Sequence, residues 1–226
     1  MKRVPEVVDT WFDSGSMPFA QWHYPFENRA MVERRYPADF IAEGVDQTRG
    51  WFYSLLAIAT GLGGALPKNG DHQAAPYRAV VVNDMVLDEK GAKMSKHIGN
   101  VVSPWEVVPR HGADAVRLFL IASSQVWVPR RFDEGMIREM AGRFFLTLKN
   151  VYSGIFAQYA NFGWSPSDAD PVPVDRPVVD RWMLSRLATI EREIDERLEQ
   201  YDATAAARAL MDFVVDDVSN WYVRLN

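Results

Sequence analysis

Ala38-Asp39-Phe40-Ile41-Ala42-Glu43-Gly44-Val45-Asp46-Gln47-Thr48-Arg49-Gly50-Trp51-Phe52 is a short apolar strand that meets a glycine and hands over to a helix. From Asp46 the spacing changes from two to three or four, with Phe52, Leu55, Leu56, Ile58 and Ala59 on the helical repeat. Asp46 is a natural N-cap, and glycines at 61, 63 and 64 end the helix. After a polar connection over 68–76, Tyr77-Arg78-Ala79-Val80-Val81-Val82-Asn83 is near-continuously apolar, the pattern of a strand covered on both faces. Strand, helix, strand is the signature of parallel α/β winding.

Working outward, Val86-Leu87-Asp88 leads into Gly91-Ala92-Lys93-Met94-Ser95-Lys96-His97-Ile98-Gly99-Asn100, two ammonium groups three residues apart in a loop with glycine near both ends. Pro104 to Arg110 is a short helix with proline in its first turn, and Gly112 to Leu120 starts another. Residues 5 to 37 mix aromatics with turn formers (Asp9, Ser14, Gly15, Pro18) and are expected to be an irregular packed loop. From Met136 the period belongs to long helices. One stripe holds Met136, Met140, Phe144, Leu148, Val151 and Ile155; a second holds Met183, Leu187, Ile190, Ile194, Leu198 and Tyr201. A third holds Ala206, Leu210, Phe213, Val214, Val218, Trp221 and Leu225. Such stripes are bundle core. A proline- and aspartate-rich connector over 163–177 separates the first from the second. The expected domains are an α/β part over 1–130 and a helical bundle over 131–226. Both ends have the look of cuts, the last residues still following an apolar helical pattern with no stop signal.

The totals narrow the function classes. With 226 residues and 48% hydrophobic composition the chain is ordinary globular material with ample core. It has no cysteine, which excludes disulfides and thiolate metal sites. No apolar run approaches the roughly 18 residues that would span a bilayer, and Met1-Lys2-Arg3-Val4-Pro5-Glu6 does not open a secretory signal. A cytoplasmic location with no membrane partner is therefore expected. The net charge is -5, so a nucleic-acid partner requires a local basic face, for which Arg130, Arg131, Arg138, Arg143 and Lys149 are candidates.

The lysine loop is the chief chemical feature. Two ammoniums aimed at one place suit a polyphosphate, where negative charge grows on a departing pyrophosphate. On charge and glycine alone, a solvated surface turn is the favoured reading, since basic tracts are usually just hydrated.

Lys93-Met94-Ser95-Lys96-His97 resembles the KMSKS loop of class I aminoacyl-tRNA synthetases. Within that class, the block from Asp9 to Pro18 (Asp-Thr-Trp-Phe-Asp-Ser-Gly-Ser-Met-Pro) and the block from Ala38 to Phe52 look like those of the isoleucyl-tRNA synthetases. The Gly112 to Arg117 element also matches, at the right spacing. The resemblance implies a Rossmann-type catalytic domain, here its C-terminal half, followed by a helical bundle of the anticodon-binding type. It implies ATP-dependent activation of isoleucine and transfer to tRNA(Ile), with ATP arriving as its Mg2+ complex and both tRNA and isoleucine as partners.

Residue by residue, it places Lys93 and Lys96 on the ATP phosphates. Ser95 is either a hydroxyl donor to ATP or a turn former. Glu43 and Gly44 meet the aminoacyl-adenylate. Asp46 and Gln47 hydrogen-bond the ribose or its neighbours, the capping role of Asp46 remaining open. Trp11 and Trp51 wall the isoleucine pocket, where flat rings bury apolar area at little entropic cost. His97 departs from the serine that usually ends the motif, and no role is assigned to it. The family's His-x-Gly-His signature is nowhere in the chain, His111-Gly112 being followed by alanine and aspartate. With four histidines and no cysteine, no zinc or other metal site is expected here. The stretch is thus expected to carry half of a catalytic site and to be inactive alone. The alternative is a tRNA-binding helical module in which the α/β part is only structural.

Overall fold

In a computed structural model of the chain, residue 5 and residues 9–67 and 75–226 are described. The connection expected over 68–76 therefore lies mostly outside the described residues. The chain divides into two compact units, one up to Met85 and one from Val86 to Asn226.

In the first unit, helix α1 (Thr10–Ala20) and helix α2 (Arg29–Arg35) occupy the stretch expected to be irregular. The Asp9 carboxylate caps α1, accepting the Trp11 and Phe12 N–H groups. Gly15 and Pro18, which look like turn residues, lie inside that helix. A Cβ at Gly15 would sit 2.8 Å from Ser54 Oγ and 2.9 Å from Ile58 Cδ1, so the glycine is what lets α1 lie flat on its neighbour. That neighbour is α3 (Trp51–Leu62), ended by Gly63 at φ +46.

Strand β1 (Ala38–Gly44) pairs in parallel with β2 (Tyr77–Asn83), as the apolar runs predict. β2 alternates between half-buried and exposed residues rather than being covered on both faces, Val80 being exposed. Between β1 and α3 runs a tight 3-10 turn (Val45–Arg49), so the helix opens five residues later than Asp46. Two small cores hold this unit: Phe19, Val32, Tyr36, Ala59 and Leu66, and Ile41, Phe52 and Leu55.

The second unit starts with β3 (Val86–Leu87), paired in parallel with β4 (Arg130–Arg131). Between them come α4 (Pro104–His111), with proline in its first turn, and α5 (Ala113–Ala122). Helix α6 (Glu134–Met140) is capped by Asp133 and continues through wide turns at Ala141–Leu146 and Tyr152–Phe156, with α7 (Thr147–Val151) between them and α8 (Ala157–Asn161) after. After the connector come α9 (Val178–Glu199) and α10 (Ala203–Asp212), the latter extended in wide turns over Phe213–Val223.

Val107, Ala115, Val116, Phe119, Phe132 and Ile137 form one core, with Phe119 and Ile137 wholly sealed from solvent. Phe144, Ile190, Phe213 and Val214 form the other. Each fully buried side chain of this kind contributes about 1.5–3 kcal/mol by leaving water. The stripes are thus core only in part: Leu148, Leu187, Leu198, Leu210, Trp221 and Leu225 are exposed.

Helix α5 belongs to both cores, because its Leu118 packs on the second. Its C-terminal carbonyls are capped from α10: Thr204 Oγ1 donates to Ile121 O at 2.8 Å, and Arg208 Nε donates to Ala122 O at 2.8 Å. Among the described residues no helix is long and apolar enough to cross a membrane, and no cluster of His, Asp and Glu could hold a metal ion.

Candidate active site

Chemistry-bearing residues gather at one place in each unit. In the first unit, β1 carries Glu43 and Gly44 to its carboxyl end, opposite Val82 and Asn83. This is where ligands meet an open α/β sheet. Glu43 is exposed to solvent. Gly44 has ordinary extended backbone (φ −67, ψ 155), so conformation does not demand glycine there. A Cβ there would lie 2.5 Å from Asp46 Oδ1, the end of an exposed side chain that can swing aside.

Asp46 caps no helix. Its Oδ2 accepts from Gln47 Nε2 at 3.1 Å, and Gln47 Oε1 accepts the Trp51 N–H at 3.0 Å. Gln47 therefore satisfies the first orphan donor of α3, the task expected of Asp46. One Nε2 hydrogen of Gln47 is left over for another partner.

Gly50 lies under the Trp11 ring, since a Cβ there would come within 2.7 Å of Trp11 Cη2 and 2.8 Å of Gln47 Oε1. The Trp51 indole N–H donates to the Ser14 carbonyl at 3.1 Å. That carbonyl is available because residue 18, which would bond it four residues on in a helix, is proline and has no N–H. Trp11, Gln47, Gly50 and Trp51 thus form one cluster. Trp51 also lines a cavity of about 220 Å³ with Met17, Ile41 and Leu55, and Trp11 is not among its walls. Tyr36, on the same cavity, has its hydroxyl pKa pushed up to about 12 by burial.

In the second unit, the lysine loop hangs from a frame of polar contacts. Asp88 Oδ1 accepts the Lys90 N–H at 3.0 Å and the Ala92 N–H at 2.7 Å. Asp88 Oδ2 accepts from Asn100 Nδ2 at 2.8 Å, and the same Nδ2 donates to the Lys93 carbonyl at 3.2 Å. Asn100 Oδ1 accepts the Ser95 N–H at 2.8 Å. The Ser95 carbonyl then accepts from Ile98 and Gly99, and its Oγ accepts the His97 N–H at 3.3 Å. Ser95 is therefore the start of a single helical turn over 95–99.

Gly91 and Gly99 close the loop with φ of +82 and +73, values that glycine adopts without strain. Met94 packs on the Phe119 core, so the loop is pinned at its centre. Lys93 and Lys96 are exposed, and among the described residues neither ammonium is ion-paired. His97 is exposed as well. The Asn100 amide and two backbone N–H groups hold the Asp88 carboxyl below its ordinary value of 3.8.

Of the basic residues expected to form one face, Arg130 is buried and donates to the Val126 carbonyl, Arg131 lies against Gly91, and Arg143 faces Asp212 at 3.6 Å, while Arg138 and Lys149 are exposed. Sequence reasoning missed Asp88 and Asn100, although an aspartate two residues before Lys90 in an Asp-Glu-Lys-Gly turn is a legible Asx-turn signal.

Comparison with known proteins decides the family. Residues 1–129 match the model described as tRNA synthetases class I (I, L, M and V), and residues 180–226 match the anticodon-binding domain of tRNA ligase. The chain belongs to the class I tRNA synthetases.

Within the class it is 47% identical to the isoleucine–tRNA ligase of Streptomyces avermitilis over 98% of the chain and 20% of that protein. It is 48% identical to that of Porphyromonas gingivalis over 100% of the chain and 19% of the relative. With the ligase of Thermus thermophilus the identity is 47%, over 100% of the chain and 21% of the relative. The chain thus spans about a fifth of the length of these relatives.

Among solved structures, Mycobacterium tuberculosis methionyl-tRNA synthetase in complex with methionyl-adenylate overlays with a TM-score of 0.77 at 20% identity, over 99% of this chain and 42% of that one. The Agrobacterium radiobacter LeuRS–tRNA–LeuAMS complex gives 0.76 at 22%, over 94% and 27%. At these identities the likeness speaks for the class I synthetase fold, an α/β catalytic part followed by helices.

Proposed function

We propose that this chain is part of an isoleucine–tRNA ligase, which activates isoleucine with ATP and transfers it to tRNA(Ile). The observation that carries the proposal is the likeness, at 47–48% identity over essentially the whole chain, to isoleucine–tRNA ligases of three different organisms. In the first step a carboxylate oxygen of isoleucine attacks the α-phosphorus of Mg-ATP. The bond to the bridging oxygen breaks, and pyrophosphate leaves with the electron pair. Lys93 and Lys96 meet the charge that grows on the leaving group, and neither ammonium is ion-paired among the described residues, which leaves both available for it.

Glu43 and Gly44 contact the adenylate at the end of β1. Asp46 and the spare Nε2 hydrogen of Gln47 serve the ribose, and Trp11 and Trp51 wall the isoleucine side chain. On this proposal residues 1–130 act as catalytic domain and residues 131–226 as the start of the anticodon-binding domain.

Isoleucine-dependent ATP–pyrophosphate exchange by the full-length protein tests the proposal. Exchange dependent on isoleucine and lowered about 10²–10³-fold by Lys96→Ala is the expected result, with none from the 226-residue stretch alone. Exchange with another amino acid, or none with any, would overturn it.

A further inference from the structure

The proposed activity needs Lys93 and Lys96 presented together, yet nothing in their own side chains fixes where they point. The frame around them does. The Asn100 side chain faces three groups at once: the Ser95 N–H, the Lys93 carbonyl and the Asp88 carboxylate. Only one orientation of its amide fits. The oxygen must face the sole donor, Ser95 N–H, and the NH2 must face the two acceptors. Asp88 closes the frame from the other side by taking two backbone N–H groups of the turn and the Asn100 amide. A backbone bridge between Leu87 and Lys93 and the bond from Asp88 N–H to Ala92 O complete the neck. One lysine therefore has its own carbonyl held by Asn100, and the other follows directly on a residue whose N–H is held by Asn100.

We propose that Asp88 and Asn100 are positioning residues, a polar clasp that sets the backbone of the lysine loop so that Lys93 and Lys96 reach one polyphosphate together. The inference rests on the ligase proposal for its chemistry and on the loop geometry for its structure. Pre-set geometry matters here because electrostatic stabilisation of a leaving group is effective only when the charges need not be reorganised at the moment of reaction. The clasp acts through the loop backbone, to which its side chains are bonded. Its loss should therefore lower the rate of the chemical step and leave isoleucine binding alone.

The test uses isosteric changes in the full-length protein. Asn100→Asp keeps the acceptor for Ser95 N–H and replaces both donors with an oxygen, setting it against the Asp88 carboxylate and the Lys93 carbonyl. It should lower kcat for isoleucine-dependent exchange about tenfold or more, change the isoleucine KM less than about twofold, and speed amide hydrogen exchange at Ala92 and Ser95. Asp88→Asn should act in the same direction and more weakly. The double variant D88N/N100D, which restores one donor–acceptor pair with reversed polarity, should recover part of the lost rate. A general loosening of the fold would not give that recovery.

Single variants within twofold of wild type in kcat, or a double variant at the product of the two single losses, would overturn the clasp. A wild-type protein without isoleucine-dependent exchange would instead overturn the ligase proposal. Amide exchange at Ala92 and Ser95 would then still decide the clasp, with unchanged protection in N100D counting against it.

Discussion

The two candidate regions hold their functional groups in opposite ways. At the Glu43 corner the side chains expected to act also build the local structure. Gln47 caps α3, Trp11 lies on Gly50, and Trp51 is tied to Ser14. In the lysine loop the ammoniums proposed to act are exposed, and other residues, Asp88 and Asn100, do the holding. One region is placed by packing and the other by a polar frame around free cations. Substitutions at the corner should therefore mix binding with stability, whereas substitutions of the lysines should leave stability untouched.

The sharpest break of this contrast is Lys96→Ala. Exchange by the full-length protein should fall by about 10²–10³, the usual effect of removing one group that stabilises developing charge, with no change in thermal midpoint. Beneath the loop, Ile137→Ala removes a wholly buried side chain from the core on which Met94 rests. It should cost about 2–5 kcal/mol, read by denaturant unfolding. At the corner, Gly50→Ala drives a methyl group into Trp11 and Gln47 Oε1. It should raise the isoleucine KM about tenfold and lower stability by about 1–3 kcal/mol, a double effect that no lysine variant should show. Thr204→Val deletes the hydroxyl that caps α5 from α10 and should cost about 1 kcal/mol in the same unfolding measurement.

Smallest is a pH effect on the clasp. Because the folded structure holds the Asp88 carboxyl below its unfolded value, its contribution is complete above the ordinary value of 3.8 and is lost as pH falls through the lower folded value. Amide protection at Ala92 should thus be flat from neutral pH to about 5 and fall only in stronger acid.

How far the sequence could be read follows the same division. The parallel strands were legible because apolar runs ending at Gly44 and Asn83 carry little ambiguity. The helices from Glu134 onward were legible as helices, though only Phe144, Val151, Ile190, Ala206, Phe213 and Val214 of the three stripes are buried. Helix α1 was not legible, because its Gly15 and Pro18 serve tertiary purposes that local propensity cannot see. The first gives close approach to α3, and the second frees a carbonyl for Trp51. The capping of α3 by Gln47 was hidden for a like reason: Asp46 sat at the better capping position by composition, and a 3-10 turn moved the helix start past it. The lysines were legible by charge and spacing. Their frame was legible only in part: Asp88 carries an Asx-turn signal, but Asn100 carries none until the loop closes and brings residues twelve apart within 2.8 Å.

The central claim, that the exposed ammoniums of Lys93 and Lys96 meet the pyrophosphate of the activation step, is tested most directly by a structure of the full-length protein with a non-hydrolysable isoleucyl-adenylate analogue and pyrophosphate. The expected result is pyrophosphate within hydrogen-bond reach of both lysines. Pyrophosphate bound with both lysines far from it would contradict the claim.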